Sequence, residues 1–174
     1  MGRGLGRRFR LLWAAFATSA AGTWLAFDAF PLIAILVLHA GPVEVSLLAA
    51  AGPAAGAVLA TLAGPFVAAR RPRPVMIGAD LVRSAVLATV PVAYLLGWLG
   101  VPQLLVVAVV VAAADIAFTA ASGAYLKSVV AHPDLLVANG RFESTTWVTT
   151  AVAPPLGGLA VGVLGPVTTV VANA

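Results

Sequence analysis

A short basic turn between two long apolar runs constrains this chain more than any other feature. Arg70, Arg71 and Arg73 lie close together, and Pro72 and Pro74 among them are expected to interrupt a helix. Apolar sequence long enough to cross a lipid bilayer lies on both sides of the turn. Because Lys and Arg concentrate in the cytoplasmic loops of membrane proteins, the turn is predicted to face the cytoplasm. The direction of every other span follows from this placement.

The scarcity of charge predicts an all-α polytopic membrane protein. Of the 174 residues, 61% are hydrophobic and 9% are charged, whereas a soluble domain carries roughly 25% charged residues. Too little polar surface remains to cover a globule in water, so the lipid bilayer is an expected partner. A net charge of +4 can also indicate nucleic-acid binding. Here nine of the ten basic residues flank apolar runs, so no nucleic-acid partner is expected.

Short polar or Gly/Pro turns divide the apolar sequence into membrane spans. Residues 1–10 are expected to form a flexible basic cytoplasmic head, and residues 11–174 a transmembrane bundle. The predicted spans are about 11–38, 45–68, 75–98, 103–126 and 137–164, with a sixth from 167. Nine residues follow Gly165, whereas a helical crossing needs about 20. The sequence is therefore expected to be truncated within its sixth span.

The distribution of basic residues agrees with these alternating spans. The predicted inner segments hold Arg3, Arg7, Arg8, Arg10, the basic turn, Lys127 and Arg141, and the predicted outer loops hold no Lys or Arg. A multi-pass protein of the cell membrane with a cytoplasmic N-terminus is therefore predicted.

Asp80 and Arg83 are two charged residues within the third predicted span, near its inner end. A charge near the bilayer centre costs about 2.5–3.5 kcal/mol on insertion scales, so a structural or functional role is expected for each of these residues. The i, i+3 spacing predicts an ion pair on one helix face that locks the helix or its neighbour. Arg83 could instead extend its side chain towards the cytoplasm.

Asp28 and Asp115 are different, because neither has a basic residue three or four positions away. Asp115 is twelve residues from both Gln103 and Lys127, so it is predicted at the midplane of the fourth span. Such a carboxyl group can exchange a proton, or bind a cation when it is ionised. The alternative is a protonated, hydrogen-bonded core residue, with Thr119 as a partner for Asp115.

Several short motifs stand in order along these spans. They are Phe9-Arg-Leu-Leu-Trp13 with Ser19 and Gly22, the stretch from Gly64 to Arg73, Asp80-Leu-Val-Arg83, Ala138-Asn-Gly-Arg-Phe-Glu143, and Ala153-Pro-Pro-Leu-Gly-Gly158. Together they resemble the N-terminal half of a major facilitator superfamily transporter of the drug and siderophore exporter branch. The resemblance covers the chain from Phe9 to Ala174.

The resemblance implies an N-terminal six-helix bundle of the major facilitator fold, with a second, missing six-helix half. In that family the first and fourth spans line a central cavity, which implies that Asp28 and Asp115 face it. The expected roles are proton or substrate binding by Asp115, Asp28, Trp24, Phe27 and Phe30, inner-loop gating by Gly64, Arg70, Arg71, Arg73, Asp80 and Arg83, and a fifth-span motif at Pro154, Gly157 and Gly158.

Two positions depart from the family pattern. The acid of the inner-loop motif, which in that family helps to hold the two halves closed on the cytoplasmic side, is Ala68 here, and the first glycine of the fifth-span motif is Ala153. For the prolines and glycines of this motif, plain helix packing is an equal alternative, because small residues permit close approach of helices.

The expected function is a secondary transporter that couples efflux of a small amphipathic substrate to protons. The alternative is a non-transporting membrane fragment, or a half-transporter that needs a second bundle. No enzyme activity, cofactor or metal is expected. The chain has no cysteine, and the only histidines, His39 and His132, fall in loops on opposite sides of the predicted membrane.

Overall fold

Five long helices make up the computed structural model. It describes residues 6–68 and 71–164, apart from the side chains at 25–28, 62–68, 153, 160, 161 and 164. The helices are α1 (Gly6–Leu36), α2 (Pro42–Ala68), α3 (Pro72–Leu95), α4 (Val101–Val129) and α5 (Leu135–Leu164), with a 3₁₀ turn at His132–Asp134 before α5. No strand occurs within these ranges. The all-α class is therefore confirmed, while Arg70 and the expected sixth span from 167 lie outside the described residues.

Two helix starts differ from the predicted spans. Helix α1 begins at Gly6 and includes the second half of the expected flexible head, because the ring of Phe9 is fully buried and holds this turn against the bundle. Helix α3 begins at Pro72. The first N–H groups of a helix have no acceptor within the helix, so a proline at this position costs no hydrogen bond. The prolines of the basic turn therefore begin α3 and do not interrupt it.

Successive helices run antiparallel, and the bundle is arranged around α4 and α1. Helix α4 packs against α2, α3 and α1, and α1 packs mainly against α5 and α4. Small and branched apolar residues that recur at helical spacing on α4, among them Ala108, Val111 and Ala121, are fully buried. This pattern gives α4 apolar contact on several faces and places its midpoint near the centre of the bundle.

Two apolar cores lie at opposite ends of the bundle. The far-end core joins the end of α1, the start of α2, the end of α3 and the start of α4, and includes Phe30, Ile33, Leu87 and Leu104. The basic-end core joins the starts of α1, α3 and α5 to the end of α4. Seven basic residues flank this second core, namely Arg7, Arg8, Arg10, Arg71, Arg73, Lys127 and Arg141.

Aromatic contacts hold α5 against α1 at the basic end. The ring centroid of Phe142 lies 4.4 Å from that of Phe16 and 6.2 Å from that of Phe9. The guanidinium carbon of Arg141 lies 5.9 Å from the Phe9 centroid, within cation–π range. Trp13 Nε1 donates a hydrogen bond of 2.8 Å to Thr145 Oγ1. These contacts position the first half of α5.

Four helices, α1 to α4, are long and apolar enough within the described residues to cross a membrane. Large apolar side chains point outwards on them, for example Leu95 and Val106, and lipid is the solvent that suits such a surface. The protein is accordingly a membrane protein. Helix α5 has 30 residues, but Asn139, Arg141 and Glu143 make its first half polar, and its crossing stays a prediction.

Candidate functional site

Five polar side chains from three helices meet between the two apolar cores. Ser19 and Thr23 come from α1, Asp80 and Arg83 from α3, and Asp115 from α4; we call these five residues the polar cluster. Asp115 is at the midpoint of α4, as the sequence predicted, and Arg83 is halfway along α3. Because α3 starts at Pro72, the Asp80–Arg83 pair lies deeper than the expected position near the inner end of the span.

Asp80 and Arg83 form the predicted ion pair. Arg83 Nη2 donates to Asp80 Oδ1 at 2.7 Å. The arginine side chain is 12% exposed and the aspartate side chain 41% exposed, so the guanidinium points into the bundle. The alternative, an arginine that extends towards the cytoplasm, is not what the structure shows.

The guanidinium also binds α1. Its Nη1 donates at 2.7 Å to Ser19 Oγ, at 2.8 Å to Thr23 Oγ1 and at 3.1 Å to the Ser19 carbonyl oxygen. Ser19 and Thr23 are both almost fully buried, on one face of the helix because they are four residues apart. Arg83 therefore joins α3 to α1, which confirms the predicted locking of a neighbouring helix.

Asp115 receives its hydrogen bond from α1 and not from its own helix. Thr23 Oγ1 donates to Asp115 Oδ1 at 3.1 Å, and it also lies 3.1 Å from the Ser19 carbonyl oxygen. The suggested partner, Thr119, is exposed on the cavity side of α4. Sequence reasoning missed Thr23 because it considered only residues within one helical turn of Asp115.

Thr23 also brings Arg83 close to Asp115. Arg83 Nη1 and Asp115 Oδ1 are at most 5.9 Å apart, since Thr23 Oγ1 lies 2.8 Å from the first and 3.1 Å from the second. Asp115 is thus near a cation that lies on another helix. The prediction that Asp115 has no basic neighbour is therefore correct for nearby residues of α4 but not for the bundle, since Arg83 comes from α3.

A cavity of about 570 Å³ opens beside Asp115. It lies between α1, α2, α4 and α5, and Asp115 is the one charged side chain among the described residues that line it. Its wall is otherwise mostly apolar, with Phe16, Trp24 and Phe118 as its aromatic members. From α2 it receives Gly52, Pro53 and Gly56.

Of the other residues of the predicted binding site, one lies at the cavity and one in the far-end core. Trp24 lines the cavity. Phe30 is 1% exposed in the far-end core and does not line the cavity, so its expected role as cavity wall is not supported. The side chains of Phe27 and Asp28 lie outside the described part of the chain, and their roles stay predictions.

Apart from Asp80 and Arg83, the predicted inner-loop residues that the structure describes do not reach the polar cluster. Arg71 occupies the N-cap position of α3 without a capping hydrogen bond from its side chain, Arg73 is in the first turn, and both are exposed at the basic end. Gly64 belongs to the last turns of α2. The structure therefore separates exposed Arg71 and Arg73 from the Asp80–Arg83 ion pair that follows them.

The fifth-span motif lies in the second half of α5, which remains helical through Pro154 to Leu164. Gly157 is buried and Pro154 is exposed. A methyl group built on Gly158 or Gly162 would meet no atom within 4 Å in the described part of the structure. Close helix packing, the alternative reading of these glycines, is thus not seen at either position.

Metal ligation has no candidate among the described residues, where no group of three His, Cys, Asp or Glu side chains comes together.

Comparison with family models, with curated proteins and with solved structures gives no match to this chain. The site must therefore be interpreted from its own geometry.

Proposed function

We propose that the protein is a secondary active transporter that exports a small amphipathic molecule and carries a proton in exchange. The observation that carries this proposal is Asp115, a carboxyl group at the midpoint of a membrane-length helix and at the wall of an apolar cavity. An acid at that depth is costly to insert, and intramembrane acids typically mark proton or substrate pathways.

The cavity supports the substrate class. Its volume of about 570 Å³ is within the range of small-molecule sites, roughly 300–1,000 Å³. An apolar wall with aromatic rings and a few polar groups suits a molecule that is mostly apolar and carries one polar or charged end. Trp24 and Phe118 would contact the apolar part, and Asp115 would meet the polar end or carry the proton.

The membrane orientation is also a proposal. The basic end carries seven basic residues, and this bias favours the cytoplasmic side. The N-terminus and the turn between α2 and α3 would then face the cytoplasm of the cell, and the turn at His39 would face outwards.

The family resemblance supplies the transport cycle of the proposal. In the major facilitator fold, two six-helix bundles rock around a midplane site and expose it alternately to each side. The alternative is a half-transporter that needs a second bundle, or a fragment without transport of its own. Exposed apolar residues of α5, including Leu156 and Leu159, favour this second candidate because a further bundle could cover them.

Ethidium efflux from cells that express the full-length gene product tests the proposal. Asp115→Asn keeps the size and most hydrogen bonds of the side chain but cannot ionise, so we expect proton-driven efflux to be lost at normal membrane expression. The matched control is Asp134→Asn, which changes an aspartate in the 3₁₀ turn at the basic end and should leave efflux unchanged. Wild-type efflux from Asp115→Asn would contradict the proposed role.

A further inference from the structure

The polar cluster contains two carboxyl groups and one guanidinium. With both aspartates ionised the cluster has a net charge of −1, and with one proton bound it is neutral. In a medium of low dielectric constant a neutral cluster is favoured, because unpaired charge is expensive to bury. One guanidinium carries a single positive charge and can neutralise only one of the two carboxylates, so Asp80 and Asp115 compete for it.

The geometry allows Arg83 to serve either acid. Its Nη2 now binds Asp80 Oδ1 at 2.7 Å, while its Nη1 is within 5.9 Å of Asp115 Oδ1, as the two bonds of 2.8 and 3.1 Å to Thr23 Oγ1 require. A long arginine side chain covers such a distance by changing rotamer. The oxygen atoms of Ser19 and Thr23 accept from its Nη1 in the present position.

We propose that Arg83 is a positioning residue that exchanges its carboxylate partner, pairing with Asp80 while Asp115 carries a proton and with Asp115 once that proton has left. This inference rests on the proposed function, in which Asp115 is the proton carrier. In each cycle one proton from solvent binds the Asp115 carboxylate and later returns to solvent. The cluster charge alternates between 0 and −1, and no bond between heavy atoms forms or breaks.

The surroundings of Asp115 leave Arg83 as its cationic partner within the described residues. Helix α1 presents Thr23 to it, and the side chain of Asp28 is not described. Helix α3 supplies Asp80 and Arg83 as the charges that act on it. Helices α2 and α5 line the cavity with uncharged residues, of which Thr146 is polar.

A double-mutant cycle tests the exchange without any transport assay. The variants Asp80→Asn and Asp115→Asn, alone and combined, are unfolded by heat in detergent and followed by tryptophan fluorescence. Each single variant leaves Arg83 one carboxylate, so we expect small decreases in the midpoint temperature. The double variant leaves the guanidinium buried without a carboxylate and should lose more than the sum of the two single decreases.

Arg83→Gln provides the control for this cycle. In that background the two aspartate changes should become additive, because no buried cation remains to be left unpaired. If the double variant fails to fold but the triple variant with Arg83→Gln folds, the exchange is supported as well. Additive losses in the presence of Arg83, or failure of both the double and the triple variants to fold, would overturn it.

Ethidium efflux then separates a positioning role from a merely structural one. Asp80→Asn should leave Arg83 paired with Asp115 throughout, so we expect proton-driven efflux to be lost while the midpoint temperature stays near that of the wild type. Asp80→Glu should restore efflux. Wild-type efflux from Asp80→Asn would overturn the inference. If the wild type moves no ethidium, the proposed function is what fails, and the cycle still decides whether Arg83 exchanges partners.

Discussion

At the scale of single residues, Thr23 holds the polar cluster together. Its hydroxyl oxygen accepts from Arg83 and donates towards Asp115, so one atom connects the charged groups of α3 and α4. A buried polar group that loses its partner costs about 1–3 kcal/mol. Thr23 thus stabilises the bundle through hydrogen bonds to two charged side chains, more than the size of its own side chain suggests.

Replacement of Thr23 by valine is the corresponding prediction. Thr23→Val keeps the shape but removes the hydroxyl, so we expect a loss of about 1–3 kcal/mol and a decrease of about 2–4 °C in midpoint temperature for each kcal/mol lost. Thr23→Ser keeps the hydroxyl and should recover most of this loss. Thr18→Val, on an exposed face of the same helix, is the matched control, because within the described residues the Thr18 hydroxyl donates to the Ala14 carbonyl oxygen of its own helix. Equal losses from Thr18→Val and Thr23→Val would contradict the role of Thr23.

The sequence predicted this cluster only in part. The i, i+3 spacing of Asp80 and Arg83 was sufficient to predict their pairing, because one helix fixes that geometry. The link from Thr23 to Asp115 joins residues that are far apart in sequence. It depends on how two helices pack, and spacing along one helix contains no information about that.

At the scale of helices, the start of α1 is where the described structure departs most from the predicted spans. Three arginines among residues 7–10 indicated a solvated head, whereas Phe9 and Leu12 form a buried face at helical spacing. The arginines occupy the other side of the same turns. Phe9 is the part of this face that falls within the expected head, and one apolar residue among arginines cannot be distinguished from chance in the sequence alone.

The attachment of α5 to α1 gives a prediction at this scale. Phe142→Ala removes the ring that contacts Phe9 and Phe16, so we expect a loss of about 3–5 kcal/mol, as for other buried aromatic residues. Because α5 packs mainly on α1, hydrogen exchange should increase in residues 135–150 and change little in α3.

Leu136→Ala, on an exposed face of the same helix, serves as the control and should leave exchange unchanged. A uniform increase across all helices after Phe142→Ala would show instead that α5 is not an independent part of the bundle.

At the scale of the whole molecule, the charge distribution predicts one orientation in the membrane. The absence of cysteine allows single cysteines to be labelled without background. His39→Cys, at the far end, should react in intact cells with a maleimide that cannot cross the membrane. His132→Cys, at the basic end, should react only after the membrane is opened. The opposite result would reverse the proposed topology, and reaction of both in intact cells would show that the helices do not separate the two turns.

The middle layer of the bundle has a different character from its two ends. Apolar side chains at the ends pack without directional preference, whereas the hydrogen bonds among Ser19, Thr23, Arg83 and Asp115 require particular angles. Angular preference fixes how far each helix is turned about its own axis. The rotational alignment of α1, α3 and α4 is therefore specified at the centre of the bundle, by the polar cluster, and not by the apolar cores at its two ends.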